Sequence, residues 1–444
     1  MTDRIDPKIT DLLAAHRHRP YVSLEFFPPK TDQGKENLKG RLGRYYENVK
    51  PLFTDVTWGA GGSTSDTTLD IVLDAHKQGH VANMHLTCTN ASLESILAGL
   101  KTAYDGGIRN IVALRGDPPK GEEKWTASDG GLTCALDLVK LIREHYKEQF
   151  CIAVSGYPEG HPNAITKLAD DFDLSSLTEG EKLRLSKNSS GECFVCKDED
   201  YEKEMDYLKQ KIEAGGDYII TQMFFDAAVF KKFVSDCRSR GIMCPIVPGI
   251  MCISAYPGFI RMTDFCKTRV PADLASKMEA VKDDKEAVKK VGIDFGVELC
   301  TNLLNDDLTG AGLHFYTLNL ENCTYGILDR IKNRLEVGAC ETVNTVYGLN
   351  GKVLEKRDDD AVALEIQGWT LAGGQRVVAY LNKSSYKKVS GAGETVSTIY
   401  GLSGKVLEKR GDEALALELQ GWTLAGGQRV VAYLNKASYE KIAC

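Results

Sequence analysis

Glu25 lies in the run Leu24-Glu25-Phe26-Phe27-Pro28-Pro29, a carboxyl group flanked by leucine and phenylalanine. Lost hydration disfavours a carboxylate relative to its neutral acid. A group in such surroundings keeps its proton toward neutral pH and can serve as a general acid. Turned outward, or paired with a buried arginine, the same residue would be ordinary structure. In Arg115-Gly116-Asp117-Pro118-Pro119 the glycine admits a ligand close to the backbone and the prolines stiffen the exit. Asp117 there could tune a cofactor ring or orient substrate amides, or simply cap a tight turn. His85, in Met84-His85-Leu86-Thr87-Cys88, is either a ligand contact or a satisfied core histidine. Gln222 sits among Ile, Thr, Met and Phe, and a buried amide needs partners that a heterocycle with amide edges could supply. Gly59-Ala60-Gly61-Gly62-Ser63-Thr64 could cradle a phosphate, although glycine-rich loops are common. Cys193-x-x-Cys196 lacks the two further ligands of a zinc site and reads as a loop with two ordinary thiols, so no metal is expected.

Positioning these groups falls to eight short apolar runs: 21–27, 53–58, 82–88, 110–116, 151–157, 218–225, 244–250 and 313–318. Amphipathic stretches such as ASLESILAGLKTAY and YEKEMDYLKQKIEAGG separate them. Continuous apolar runs suit strands buried on both faces. Eight of them alternating with helices imply an α/β fold, a (β/α)8 TIM barrel. An open doubly wound sheet is the alternative, weakened by the absence of a G-x-G-x-x-G or P-loop motif. A barrel carries its chemistry at the C-terminal strand ends. Those ends read Glu25, Thr57, His85, Arg115, Asp117, Tyr157, Gln222 and Tyr316. The polar, charged stretch 166–200 follows the fifth run and is expected to be an inserted, partly mobile surface excursion.

Residues 341–391 and 394–444 align without a gap, and GWTLAGGQRVVAYLNK occurs twice unchanged. Apolar exchanges between the copies keep their character: Val346/Ile399, Val362/Leu415, Ile366/Leu419. This is a tandem duplication of a β-rich unit, expected to be a small barrel of four or five short strands. Trp369 and Trp422 are core residues or binding aromatics. The expected domains are therefore 1–340, 341–391 and 394–444.

The 444 residues are 43% hydrophobic and 26% charged, with a formal net charge of −7. A broad attraction to nucleic acid or an anionic membrane is not expected from that balance. No apolar run approaches the roughly 20 residues of a membrane span, and the first twenty residues lack an apolar signal core. Thirteen cysteines without a regular spacing suit reduced thiols, so a cytoplasmic protein is expected.

The segments SLEFFPPKT, DVTWGAGGSTSD, HLTCTN, NIVALRGDPP, SGYPEGHP, ITQMFFD, CPIVPGI and LHFYTLN resemble the methylenetetrahydrofolate reductase family, in family order across nearly all of 1–340. The resemblance implies a barrel carrying FAD. It implies a ping-pong reaction in which NADH or NADPH reduces the flavin and methylenetetrahydrofolate then accepts the hydride to give 5-methyltetrahydrofolate. Glu25 matches the general acid, and Asp117 the acidic residue beside flavin and pterin. Gln222 and Tyr316 match substrate contacts. The flavin contacts that carry over are Thr57, Trp58, His85, Arg115, Gly116, Asp117, Ala135, Tyr157, His161, Pro162, Asn163, Ala164 and Lys211. The run Glu25, Phe26, Phe27, Pro28, Pro29 and Lys30 corresponds to nicotinamide contacts.

Three departures stand out. Cys134-Ala135 replaces a family Tyr-Ala. Glu204 replaces an Asp, keeping the charge at a different reach. Leu320 replaces an arginine that faces the folate tail, a charge Arg261 would have to restore. Family members commonly oligomerise, which implies a homo-oligomer. The duplicated tail is unlike the larger S-adenosylmethionine-sensing domain of animal and yeast enzymes, so no such feedback is expected, and its own partner is open. Two competing readings are another flavin-dependent barrel, proline dehydrogenase-like, and a scaffold with a degenerate barrel.

Overall fold

The computed structural model describes residues 4–16, 20–58, 65–88, 91–116, 131–305 and 312–337, and strand segments at 343–347, 353–370, 376–381, 398–401, 406–409, 414–423 and 429–435. The chain divides into two compact units, Met1–Gly338 and Ala339–Cys444.

Alternation along the strands of the first unit sorts side chains into two layers. In β1 (Tyr21–Phe26), Val22, Leu24 and Phe26 join the core beneath the helices, while Ser23 and Glu25 point the other way, toward His314 and His85. The remaining strands are β2 (Phe53–Val56), β3 (Ala82–Thr87), β4 (Asn110–Leu114), β5 (Cys151–Gly156), β6 (Tyr218–Thr221), β7 (Ile246–Val247 with Gly249–Met251) and β8 (Gly312–Tyr316). Every pairing is parallel. Neighbours follow chain order from β1 to β7, and β8 pairs with both β1 and the second half of β7, so the ring closes. This is a (β/α)8 barrel. Pro248 has no N–H to give the ladder and splits β7, while its carbonyl still accepts from the His314 N–H at 3.0 Å.

The N-terminal end of the barrel is plugged. The helix Ile9–Ala15 sends Ile9 and Leu13 against Phe53, Val112, Cys151, Tyr218 and Val247. Asn110 receives the Ile9 N–H on its side-chain oxygen at 2.8 Å. Around the outside, the helix Asp32–Asn48 starts at Thr31, whose hydroxyl accepts from the Gly34 N–H at 3.1 Å. Its Leu38, Leu42 and Tyr45, one helical stripe, pack on the strand layer, with Tyr45 edge-on to Phe26. Polar groups are thereby left to the C-terminal mouth.

The stretch 166–200 is folded rather than mobile. Thr166–Lys167, Ser186–Lys187 and Cys193–Val195 form a three-stranded antiparallel sheet. The turn of helix Glu179–Leu183 has a reciprocal capping box between Thr178 and Glu181. Buried Leu177, Arg184 and Val195 tie the excursion down, with Arg184 donating to the Cys196 carbonyl at 3.1 Å. Its charge, read from sequence as solvation, is partly spent on internal pairs.

In the second unit, Val343–Tyr347, Val353–Thr370 and Arg376–Leu381 make one sheet, and Thr398–Gly401, Val406–Lys409, Ala414–Thr423 and Arg429–Asn435 another. The duplication extends to register: Val362 faces Leu381 as Leu415 faces Leu434, and Thr370 faces Arg376 as Thr423 faces Arg429. Among the described residues these sheets are open rather than closed into small barrels. Nor is any described helix long and apolar enough to cross a membrane.

Candidate active site at the barrel mouth

Strand register assembles a polar layer inside the barrel. Glu25 stands opposite Asp55 of β2 and Tyr316 of β8, Ser23 opposite His314, and Asp55 opposite Asn83. In parallel strands in register, such neighbours share a level and an inward face. Asp55 Oδ2 lies 3.2 Å from His85 Nε2, and Glu25 Oε2 lies 3.5 Å from the same nitrogen. His314 Nε2 is 3.6 Å from Glu25 Oε2 and 3.9 Å from Asp55 Oδ2. Asn83 donates to Asp55 Oδ1 at 2.9 Å and is 2.9 Å from the Tyr218 hydroxyl. His314 Nδ1 pairs with Ser23 Oγ at 2.9 Å, while its buried Nε2 has no hydrogen-bond partner among the described residues. Burial opposes charge on His85. The hydrogen bond with Asp55 and the charges of Glu25 and Asp55 outweigh it and push the imidazole above its usual value.

This corrects the reading of Glu25 as a carboxyl in apolar surroundings. Leu24 and Phe26 are its sequence neighbours but face the helices. Glu25 itself faces two imidazoles and a second carboxylate. It is 6% exposed, which leaves it reachable from the mouth.

A second group gathers at the ends of β4 and β5 and on the helix Asp198–Glu213. Lys211 is buried, donates to the Ser155 carbonyl at 2.7 Å and is pushed down to about 8 by burial, with Glu204 opposing. Glu204, seven residues earlier on the same helix, is raised by burial against the pull of Lys211 and Arg115. His161 stacks edge-on against Tyr157 at 4.7 Å and accepts the Asn163 N–H at 3.1 Å. Burial, then the charges of Arg115, Lys211 and Lys267, lower it to about 4. Lys267 donates to the carbonyls of Pro162 and Ile165 at 2.8 and 2.6 Å. Three cations thus converge on one imidazole. Trp58 adds a buried indole N–H without a partner among the described residues. Ala164 follows in the same turn, Ala135 opens the helix Ala135–Tyr146, Thr57 donates its N–H to Phe26, and Gly116 carries a φ of 92°.

Other expected residues divide. Phe27 is clamped to Asn319 by two bonds of 2.8 Å, N–H to Oδ1 and Nδ2 to carbonyl. It is partly exposed, as is Lys30, with Pro28 and Pro29 between them. Phe26 is different: its ring is buried against Tyr45, so only its backbone could meet a ligand. Gln222 is half-buried, and its side-chain oxygen accepts the Met223 N–H at 2.9 Å. Tyr316 donates to the Thr221 carbonyl at 2.5 Å and packs edge-on against His314. Arg261 is exposed on the helix Tyr256–Cys266, and no described contact joins it to the rest. Asp117 and the loop 59–64 lie outside the described residues.

Reading strand ends alone missed Asp55, Asn83, His314 and Asn319. Counting back in twos from Thr57 and His85 reaches Asp55 and Asn83, and from Tyr316 reaches His314. The clamp joins residues almost three hundred positions apart and leaves no local signal.

The family model for methylenetetrahydrofolate reductase matches residues 8–332. Over 316 residues the chain is 47% identical to a probable methylenetetrahydrofolate reductase (NADH) from Oryza sativa, covering 71% of this chain and 48% of the relative. It is 40% identical to methylenetetrahydrofolate reductase 2 of Saccharomyces cerevisiae, over 73% of this chain and 49% of that one. The 5,10-methylenetetrahydrofolate reductase of Escherichia coli is 32% identical, over 69% of this chain and 88% of its own length. The match thus spans about half the length of the plant and yeast relatives and most of the bacterial one.

Proposed function

The chain belongs to the methylenetetrahydrofolate reductase family, and from that premise we propose that its barrel reduces methylenetetrahydrofolate to 5-methyltetrahydrofolate, with NADH or NADPH as reductant and FAD as resident carrier. The observation that carries this is Glu25: a carboxyl group at a strand end, inside the mouth and near two imidazoles.

The residues present fit FAD. Arg115, Lys211 and Lys267 bring three positive charges to bear on His161, against the one carboxyl of Glu204. A diphosphate would balance the excess. The orphaned Trp58 N–H and the Tyr157–His161 pair line the same end of the barrel. Thr57, His85, Gly116, Ala135, Pro162, Asn163, Ala164 and Glu204 complete the proposed contacts. Bound there, FAD would supply the hydride chemistry between the nicotinamide and the folate.

The chain's own residues do the rest. Phe27 to Lys30, fixed by Asn319, offer a firm edge to the nicotinamide nucleotide. Gln222 and Tyr316 face the folate ring, and Asp117 is proposed beside it. Glu25 gives its proton to the nitrogen released when the methylene bridge opens, which a carboxyl at the mouth can do without a metal or a second acid.

The purified protein is expected to be yellow. Under anaerobic conditions NADH or NADPH should bleach the flavin band and methylenetetrahydrofolate should restore it. A colourless protein that cannot be reconstituted with FAD would sink the proposal. Reduction of bound flavin by proline in place of nicotinamide would favour the other barrel oxidoreductase.

A further inference from the structure

We propose that Asp55 is the counter-ion of His85, and that by holding that imidazolium it leaves Glu25 free to carry a proton. The inference rests on the general-acid reading of Glu25 and adds to it a positioning residue.

The geometry ranks the two carboxylates. Asp55 Oδ2 hydrogen-bonds His85 Nε2 at 3.2 Å, whereas Glu25 Oε2 stands at 3.5 Å without a hydrogen bond. Asp55 is also the better-anchored group. Its other oxygen accepts from Asn83, and it is fully buried. Glu25 has no comparable anchor among the described residues and keeps a little exposure where Asp55 has none. A carboxylate fixed by a donor on one oxygen and an imidazole on the other is built to stay ionised. A carboxyl left at contact distance beside that pair is the one that can change its proton.

Crowding gives the same answer. A carboxylate oxygen each of Glu25 and Asp55 and a ring nitrogen of His314 lie within 4.8 Å of one another. Two carboxylates that close, away from water, do not both ionise unless a cation stands between them. The groups facing Glu25 are Asp55 from β2, His85 from β3, and His314 and Tyr316 from β8. Tyr218 of β6 and Asn83 of β3 stand behind Asp55. Among these His85 is the imidazole pushed toward its charged form. One cation offsets one anion. With Asp55 taking that place, Glu25 is left without a cation of its own.

In the folate half-reaction a C–N bond of the methylene bridge breaks and its electron pair stays on nitrogen. The Glu25 proton moves to that nitrogen and Glu25 is left anionic. Solvent at the mouth returns the proton.

The direct test is a pH titration of ¹⁵N-labelled histidines in the full chain, with the His85 resonance assigned by H85Q. D55N is expected to lower the His85 midpoint by ~1–3 units, the usual effect of losing an opposite charge at contact. E25Q is expected to lower it by less than half as much. A larger fall in E25Q than in D55N overturns the assignment. Should D55N not fold, E25Q decides alone: a His85 midpoint that falls by less than about one unit keeps the proposal, and a fall of about one unit or more, the size expected for losing the counter-ion itself, overturns it.

Stopped-flow half-reactions give the functional readout. In D55N the loss of folate-dependent flavin reoxidation with rising pH should begin ~1 unit lower, while the nicotinamide half-reaction keeps its pH dependence. Equal loss of both half-reactions with an unmoved pH limb would mean Asp55 is only structural. If E25Q itself leaves folate reduction intact, the general-acid reading fails, and the histidine titration still decides the ion pair.

Discussion

Glu25→Gln keeps the shape and hydrogen-bonding reach of the side chain and removes only the transferable proton. It is expected to leave flavin reduction by NAD(P)H within about threefold and to slow folate reduction by ~10²–10⁴-fold, the usual worth of a general acid. Rapid-mixing measurement of each half-reaction separates the two; an equal fall in both would refute the assigned role. A second residue makes a stability prediction. His80 is buried, with Thr54 Oγ1 2.7 Å from Nδ1 and the Leu42 carbonyl 3.0 Å from Nε2. Burial lowers it from 6.5 to about 4. Its folded-state value is depressed, so the unfolded chain binds more protons between those values. The stability His80 contributes is full above pH 6.5, is lost as pH falls, and is gone below about pH 4. By linkage that loss is at most about 3 kcal/mol. Denaturant melts from pH 7 to 4 should fall less steeply in His80→Gln than in the parent. Glu25, His85 and Gln222 could be picked out of the sequence because each is a polar residue in an apolar run. Their surroundings could not, because strand neighbours in sequence point to opposite faces.

At the scale of elements, the eight strands were legible because burial on both faces leaves runs with almost no polar interruption. The closure between β7 and β8 was not, since it depends on a ladder broken at Pro248. Gly249 marks how tight that closure is. A Cβ there would stand 2.4 Å from the Thr221 carbonyl oxygen and 2.5 Å from the Tyr316 hydroxyl, separating two groups now bonded to each other. Gly249→Ala should lower stability by ~1–3 kcal/mol, the usual cost of overpacking, seen as a reduced melting temperature. The Asn319 clamp works between elements. Leu318 and Asn319 both hold positive φ, 52° and 56°, so that the asparagine amide reaches both polar groups of the Phe27 backbone. Asn319→Gly keeps that backbone accessible and deletes the bonds. It should raise the KM for the nicotinamide nucleotide by roughly tenfold, equivalent to ~1.4 kcal/mol, and leave the KM for folate within about twofold. A change in both would place the clamp's role elsewhere.

At the scale of the whole molecule, the family match ends at residue 332 and the first compact unit at Gly338. Removing residues 339–444 should therefore leave both half-reactions within about twofold, while size-exclusion chromatography reports whether the paired sheets hold copies together. A truncated chain that cannot bind FAD would show the second unit to be part of the barrel's stability. By itself the sequence determined the barrel, its strands, the duplication and most of the candidate residues, because hydrophobic period and internal identity are written along the chain. Tertiary structure alone decided that the inserted stretch is folded, that Phe26 turns from the mouth, and that Glu25 shares its place with Asp55, His85 and His314. Those facts depend on which face and level each strand presents to strands far away in sequence, and the register of a closed barrel is a property of all eight strands together.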